Sequence, residues 1–300
     1  MEPLFKRILT PVDLGSSSIA ALHYTSIFAK RFGSSVTLVY ADELASLFAD
    51  YDPAWVAYHV QPQSEGFRIE DSLRAFAAEH LRDVESPATI VVPEHPVKAI
   101  IRAATETNAD LIVMGTHGRR GWRRALAGSV ADGVVRAAAR PVLVVPEQRH
   151  RSAHPEEVTR VVCPVNFTEA ARTAVVCAAG VAAAFDAELI VVHVAEVPIA
   201  DTESIQEYFR QWLGEEIRAR SSFRELVLRG GAAERVLDCV EDVNADLLVL
   251  GAEVKWLRNE SVIGTTTERL LRFSPVPVLT VARTAFESSR QEAAMKQETV

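Results

Sequence analysis

The chain has 300 residues, 48% of them hydrophobic and 24% charged, with a formal net charge of −8. This length suits two domains of roughly 150 residues each better than one core. The acidic balance argues against a whole-protein nucleic-acid binder, no apolar run approaches the roughly 18 residues of a membrane span, and the N-terminus lacks a signal-peptide core, so a cytoplasmic protein is expected.

Arg7-Ile-Leu-Thr-Pro-Val-Asp13 predicts a short buried strand ending in an acid. Gly15-Ser-Ser-Ser then offers helix caps, a helix runs from about Ile19 to Phe32, and Gly33 stops it. Val36 to Ala41 is a β-branched run of the kind buried on both faces. This β-α-β start predicts parallel strands with a right-handed crossover. Residues 44–64 are irregular and hold Phe48, Tyr51, Trp55 and Tyr58. They suit packing between the two domains, a lid being the alternative. A helix is predicted from Ile69 to Leu81, a strand from Ala88 to Val92, a helix from Val97 to Thr107 and a strand from Asp110 to Met114. After a glycine- and arginine-rich loop, a helix from Ser129 to Ala139 and a strand from Pro141 to Val145 complete an open, doubly wound α/β domain.

The pattern then repeats. Lys6 to Glu43 aligns without gaps on Thr159 to Glu196 at an offset of 153, sharing Arg7 with Arg160, Pro11-Val12 with Pro164-Val165 and Phe32 with Phe185. Ala109-Asp-Leu-Ile-Val matches Ala245-Asp-Leu-Leu-Val, and Pro141-Val-Leu matches Pro277-Val-Leu, at an offset of 136. This is a tandem duplication, with 17 extra residues in the first copy, for which 44–64 is the natural place. The expected organisation is a first domain over 1–147, a polar linker over 148–157, a second domain over 158–285 and a polar tail over 286–300. Cys163, Cys177 and Cys239 form no CxxC pair and read as reduced thiols, Cys163 within a strand and Cys177 within a helix.

The chemistry concentrates in Gly115-x2-Gly118-x9-Gly128-Ser129. A strand runs into flexible backbone and then a helix N-terminus, where backbone N–H groups and the helix dipole favour phosphate. His117, Arg119, Arg120, Arg123 and Arg124 add positive charge, although these arginines also suit a solvated surface or an acidic neighbour. Trp122 among them reads as an interface or lid anchor. In a parallel sheet the ends of the first, second and fourth strands, at Asp13, Ala41 and Gly115, are expected to line one crevice.

This pattern resembles the universal stress protein family in its tandem two-domain form, over roughly 4–146 and 158–283. Glycine-x2-glycine-x9-glycine-serine/threonine is that family's ATP-binding signature. The resemblance implies two Rossmann-like domains of the adenine nucleotide alpha-hydrolase type, each with a five-stranded parallel sheet. It also implies ATP, with Mg²⁺, as ligand. Carried over by position, Pro11, Val12 and Asp13 would meet the adenine and ribose, and Ala41 the base, with Met114 beside it. Gly115, Thr116, Gly118, Arg119, Gly128, Ser129 and Val130 would hold the phosphates. The resemblance further implies pseudo-twofold pairing of the two domains, a homodimer, and a regulatory protein partner whose identity the sequence leaves open.

The second copy departs from the signature. Gly251 and Gly264-Thr265 keep their spacing, but Val254 replaces the middle glycine and Asn166 the acid of the first strand. Between Gly251 and Gly264 the charges of Glu253, Lys255, Arg258 and Glu260 cancel. One working ATP site, in the first domain, is expected, with the second copy binding ATP weakly or not at all; the alternative is that Asn166 still hydrogen-bonds a ribose and Thr265 a phosphate. No general base or nucleophile stands over the phosphates, so a binding role without catalytic residues or resident metal is the reading. The alternative is a slow Mg²⁺-dependent ATPase in which His117 or Asp13 places water. An adenylating relative would show a Ser-Gly-Gly-x-Asp loop, which is absent here. A flavin-binding relative of the same broad fold stays open and would be told by absorbance near 450 nm.

Overall fold

The computed structural model describes residues 3–43, 69–116, 128–146, 157–195, 202–218, 222–257 and 260–283. The segment 44–64, most of the linker and the tail lie outside the described residues. In the first copy β1 (Arg7–Pro11), α1 (Ser16–Phe32), β2 (Ser35–Ala41), α2 (Ile69–His80), β3 (Ala88–Val92), α3 (Pro96–Glu106), β4 (Leu111–Gly115), α4 (Ser129–Ala137) and β5 (Val142–Val145) follow one another. The second copy has β6 (Arg160–Val165), α5 (Glu169–Phe185), β7 (Glu188–Ala195), α6 (Thr202–Leu213), α7 (Glu215–Arg218), β8 (Phe223–Arg229), α8 (Ala232–Asp242) and β9 (Leu247–Ala252). It continues through β10 (Val254–Leu257), β11 (Glu260–Ile263), α9 (Thr265–Phe273) and β12 (Val278–Ala282).

Each copy contributes five parallel strands, and the two sets fuse into one ten-stranded sheet of order β3-β2-β1-β4-β5-β12-β9-β6-β7-β8. The join is the antiparallel pair of β5 with β12. Leu143 faces Leu279, Val142 faces Thr280 and Val144 faces Val278. Leu143 and Leu279 are equivalent residues of the two copies, so the pseudo-twofold axis passes through that pair.

Most strands read as apolar runs because both sheet faces are covered, while the edge strand β8 carries Arg224 and Glu225. Ile8 and Val161 point into a core shared with α1, α2, α5 and α6. Leu9 and Val162 point into a second core shared with α3, α4, α8 and α9. Each core runs through both copies, so the halves are joined as one body. On the first face the seam is aromatic: Phe185 of α5 meets Phe28 at 5.4 Å and its own counterpart Phe32 at 5.9 Å, edge to face. Such pairs add about 0.5–1.5 kcal/mol each beyond their buried area.

Sheet register also locates the extra residues of the first copy. Thr37 stands beside Ala88, and its counterpart Ile190 beside Arg224, so the offset has already changed from 153 to 136 by the third strand. The insertion therefore lies between β2 and β3. Pairs of residues keep matching conformations at matching positions. Leu14 and Phe167, both at φ 61°, turn the chain from strand to helix, and Asn108 and Asn244, at φ 49° and 50°, turn it from helix to strand. After each of these asparagines an aspartate clamps the first strand of its copy. Asp110 Oδ2 accepts from the Lys6 and Arg7 N–H groups, and Asp246 Oδ2 from those of Thr159 and Arg160, all within 3.0 Å.

Candidate functional site

Strand order reverses between β1 and β4, where α1 leads to β2 on one side and α4 to β5 on the other. The C-terminal ends of strands at such a switch point leave a crevice open to ligand. Pro11, Ala41 and Gly115 close β1, β2 and β4 there. The half-exposed Pro11, Asp13, Ala41 and Gly115 form its rim. Val12 and Met114 are buried beneath it, Val12 toward α1 and Met114 in the core against α3 and α4. The Met114 side chain therefore shapes the floor from below.

Asp13 fastens the start of α1. Its Oδ1 accepts from the Ser18 hydroxyl at 2.6 Å and from the Gly15 N–H at 3.0 Å, while its own N–H donates to Ser18 Oγ at 2.9 Å. In the second copy Asn166 Oδ1 accepts from the Thr168 hydroxyl at 2.8 Å, and Thr168 Oγ1 accepts from the Ala171 N–H. A neutral side chain thus suffices for this turn.

Gly115 has a packing reason of its own. A Cβ on it would lie 2.6 Å from the Ser17 carbonyl oxygen, and one on Gly251 would lie 2.5 Å from that of Ala170. In both copies the end of the fourth strand passes so close to the first helix that no side chain fits, which is why the degenerate copy also keeps this glycine.

The two ends of the segment that follows are bonded to each other. The Thr116 N–H donates to the Val145 carbonyl at 3.0 Å, and the Gly128 N–H to the Thr116 carbonyl at 2.6 Å. Residues 117–127 leave and return at this point, and His117, Gly118, Arg119, Arg120, Trp122, Arg123 and Arg124 lie outside the described residues. Gly128 caps α4 without a side-chain hydrogen bond, Ser129 is exposed at its first position and Val130 is half-buried. The acid in the first turn, Asp132, is held by Arg136 at 2.8 Å instead of folding back onto the cap. Among the described residues no side chain accepts from the first-turn N–H groups at this cap, where the positive end of the dipole lies.

The second copy differs at this point. The counterpart of 117–127 forms the antiparallel hairpin β10–β11, with Val254 opposite Ile263 and Leu257 opposite Glu260. At the strand ends Phe167 gathers an aromatic cluster, its ring 4.3 Å from His193, 4.9 Å from Tyr208 and 5.6 Å from Trp212. His193 Nδ1 lies 3.0 Å from the Val165 carbonyl oxygen. The cysteines take no part in either site: Cys163 and Cys177 are fully buried, and burial pushes the Cys177 thiol up to about 12. A groove of about 560 Å³ runs along α3 to Ala137 of α4, lined by Val97 and Ile101 together with the charged Glu94, Lys98 and Arg102.

Comparison with known proteins places this architecture. The universal stress protein family matches residues 4–146 and again residues 157–282. A universal stress protein of Methanocaldococcus jannaschii is 31% identical over 145 residues, which cover 48% of this chain and 84% of that protein. One of Mycobacterium tuberculosis is 25% identical over 230 residues, covering 72% of this chain and 75% of its own. Among solved structures, a universal stress protein of Archaeoglobus fulgidus superposes with a TM-score of 0.69 at 21% identity, covering 94% of this chain and 97% of its own, a likeness of fold. The two family matches fall on the two halves of the ten-stranded sheet, and the chain belongs to the universal stress protein family.

Proposed function

We propose that this protein binds one ATP, in the first copy, and serves as a cytoplasmic regulatory protein whose nucleotide state is read by a partner. The observation that carries the proposal is the bond between Thr116 and Gly128, which sets the glycine-capped N-terminus of α4 beside the ends of β1 and β4. First-turn N–H groups behind a glycine cap at a switch point suit a polyphosphate. Pro11, Val12, Asp13 and Ala41 take the adenine and ribose, with Met114 beneath them. The half-exposed carboxylate of Asp13 on the rim suits acceptance from ribose hydroxyls. Gly115, Thr116, Gly118, Arg119, Gly128, Ser129 and Val130 surround the phosphates, and Mg²⁺ arrives with the triphosphate. The protein forms a homodimer in addition to its internal pairing.

Titration calorimetry of the full chain against its Gly118→Val variant tests this. The variant copies the second domain's residue into the first. Its ATP affinity is expected to fall at least about tenfold, equivalent to roughly 1.4 kcal/mol. Equal affinity in the two proteins would refute the proposed phosphate loop.

A further inference from the structure

The second copy's loop has acquired a structural task. Residues 253–263 match 117–127 in length, and they supply Val254, Trp256, Val262 and Ile263 to the hairpin. β-branched and aromatic residues favour a strand, and a glycine at 254 would weaken it. The exchange that breaks the phosphate signature is therefore also the one that favours the hairpin. The second hairpin strand, β11, lies against α4 of the first copy. Ile263, only 1% exposed, shares a core with Ala131, Val134 and Val135 of α4 and with Leu270 of α9. Asp132 first, by its hydrogen bond, and Glu268 of α9 across the axis both hold the Arg136 guanidinium charged.

We propose that the β10–β11 hairpin is a brace reaching across the pseudo-twofold axis to fix α4, with Ile263 as a positioning residue for that helix. Its functional consequence rests on the ATP reading above: α4 presents Gly128 to Val130, so the brace supports phosphate binding and leaves the base subsite untouched. The second copy then contributes to the first copy's site without binding nucleotide itself.

The test uses the full chain, with Ile263→Ala, the conservative Ile263→Val, and Val262→Pro, which disrupts the pairing with Lys255. Hydrogen exchange across 129–137 is followed without ligand, and ATP and adenosine are titrated separately. Ile263→Ala and Val262→Pro are expected to speed exchange in α4 while leaving β1 and α1 unchanged. They are expected to weaken ATP roughly tenfold and adenosine by less than about twofold, with Ile263→Val near wild type. Unchanged exchange across 129–137 in a folded variant, or equal losses for ATP and adenosine, would overturn the brace. Should wild type bind neither ligand, the ATP reading fails alone, and the exchange data still decide the brace. Should Ile263→Ala not fold, Val262→Pro decides it.

Discussion

At the scale of single residues, the two copies act as an internal control. Gly115 and Gly251 persist in both because a helix backbone occupies the space of their side chains. Gly115→Ala and Gly251→Ala are each expected to cost about 1–3 kcal/mol in urea unfolding, the usual penalty of overpacking. Equal stability in either variant would show that the helix start yields freely. Gly118 and Asp13 differ between copies, as Val254 and Asn166, so their requirement is local to the first. Burial raises the folded-state pKa of Cys163 and Cys177 above the ordinary 9.0, that of Cys177 to about 12. A raised folded pKa gives stability that is complete below the unfolded value and is lost as pH rises. Wild-type stability should therefore fall between pH 9 and 12, with Cys177→Ala falling less steeply by up to about 1.4 kcal/mol per pH unit. Parallel curves for the two proteins would contradict this.

At the scale of elements, most of the fold was legible in the sequence. β-branched runs marked the strands of the first copy, and constant offsets carried the assignment to the second. Gly33, read as a helix stop, takes φ 65° behind α1. The start of α1 at Ser16 was less legible, because its cap is Gly15 and the fastening is made from Asp13 to Ser18. The Asp110 and Asp246 clamps were hidden for a different reason: their partners lie 103 and 86 residues away on backbone N–H groups, which no side-chain pattern reveals. The hairpin was hidden by the motif itself. The glycine spacing of Gly251 and Gly264 directs attention to phosphate chemistry, whereas strand propensity in Val254, Trp256 and Val262 is the signal for the hairpin. In the candidate site, the strand ends and α4 meet as the parallel topology requires. The burial of Met114 and the packing role of Gly115 emerge only when the helices are in place.

At the scale of the whole molecule, the join of β5 with β12 makes the chain its own dimer. Leu143 opposite Leu279 sits at the axis, the aromatic seam covers one face, and the Leu4 side chain reaches α5 within 3.3 Å of a Cβ placed on Gly180. Cutting the chain after residue 146 bares the β5 edge and that seam. Such a half is expected to pair through β5 with a second copy of itself, and sedimentation should show a dimer; a stable monomer would mean that the join contributes little. The same symmetry makes the proposed functional difference between the halves measurable. One sheet carries two equivalent sets of strand ends, one followed by the arginine-rich segment 117–127 and the other by a hairpin. Titration of the full chain with ATP and Mg²⁺, read as moles bound per mole of chain, tests this asymmetry most directly. One ATP per chain, abolished by Gly118→Val, is the predicted result. Two per chain, or one that survives that substitution, would contradict it.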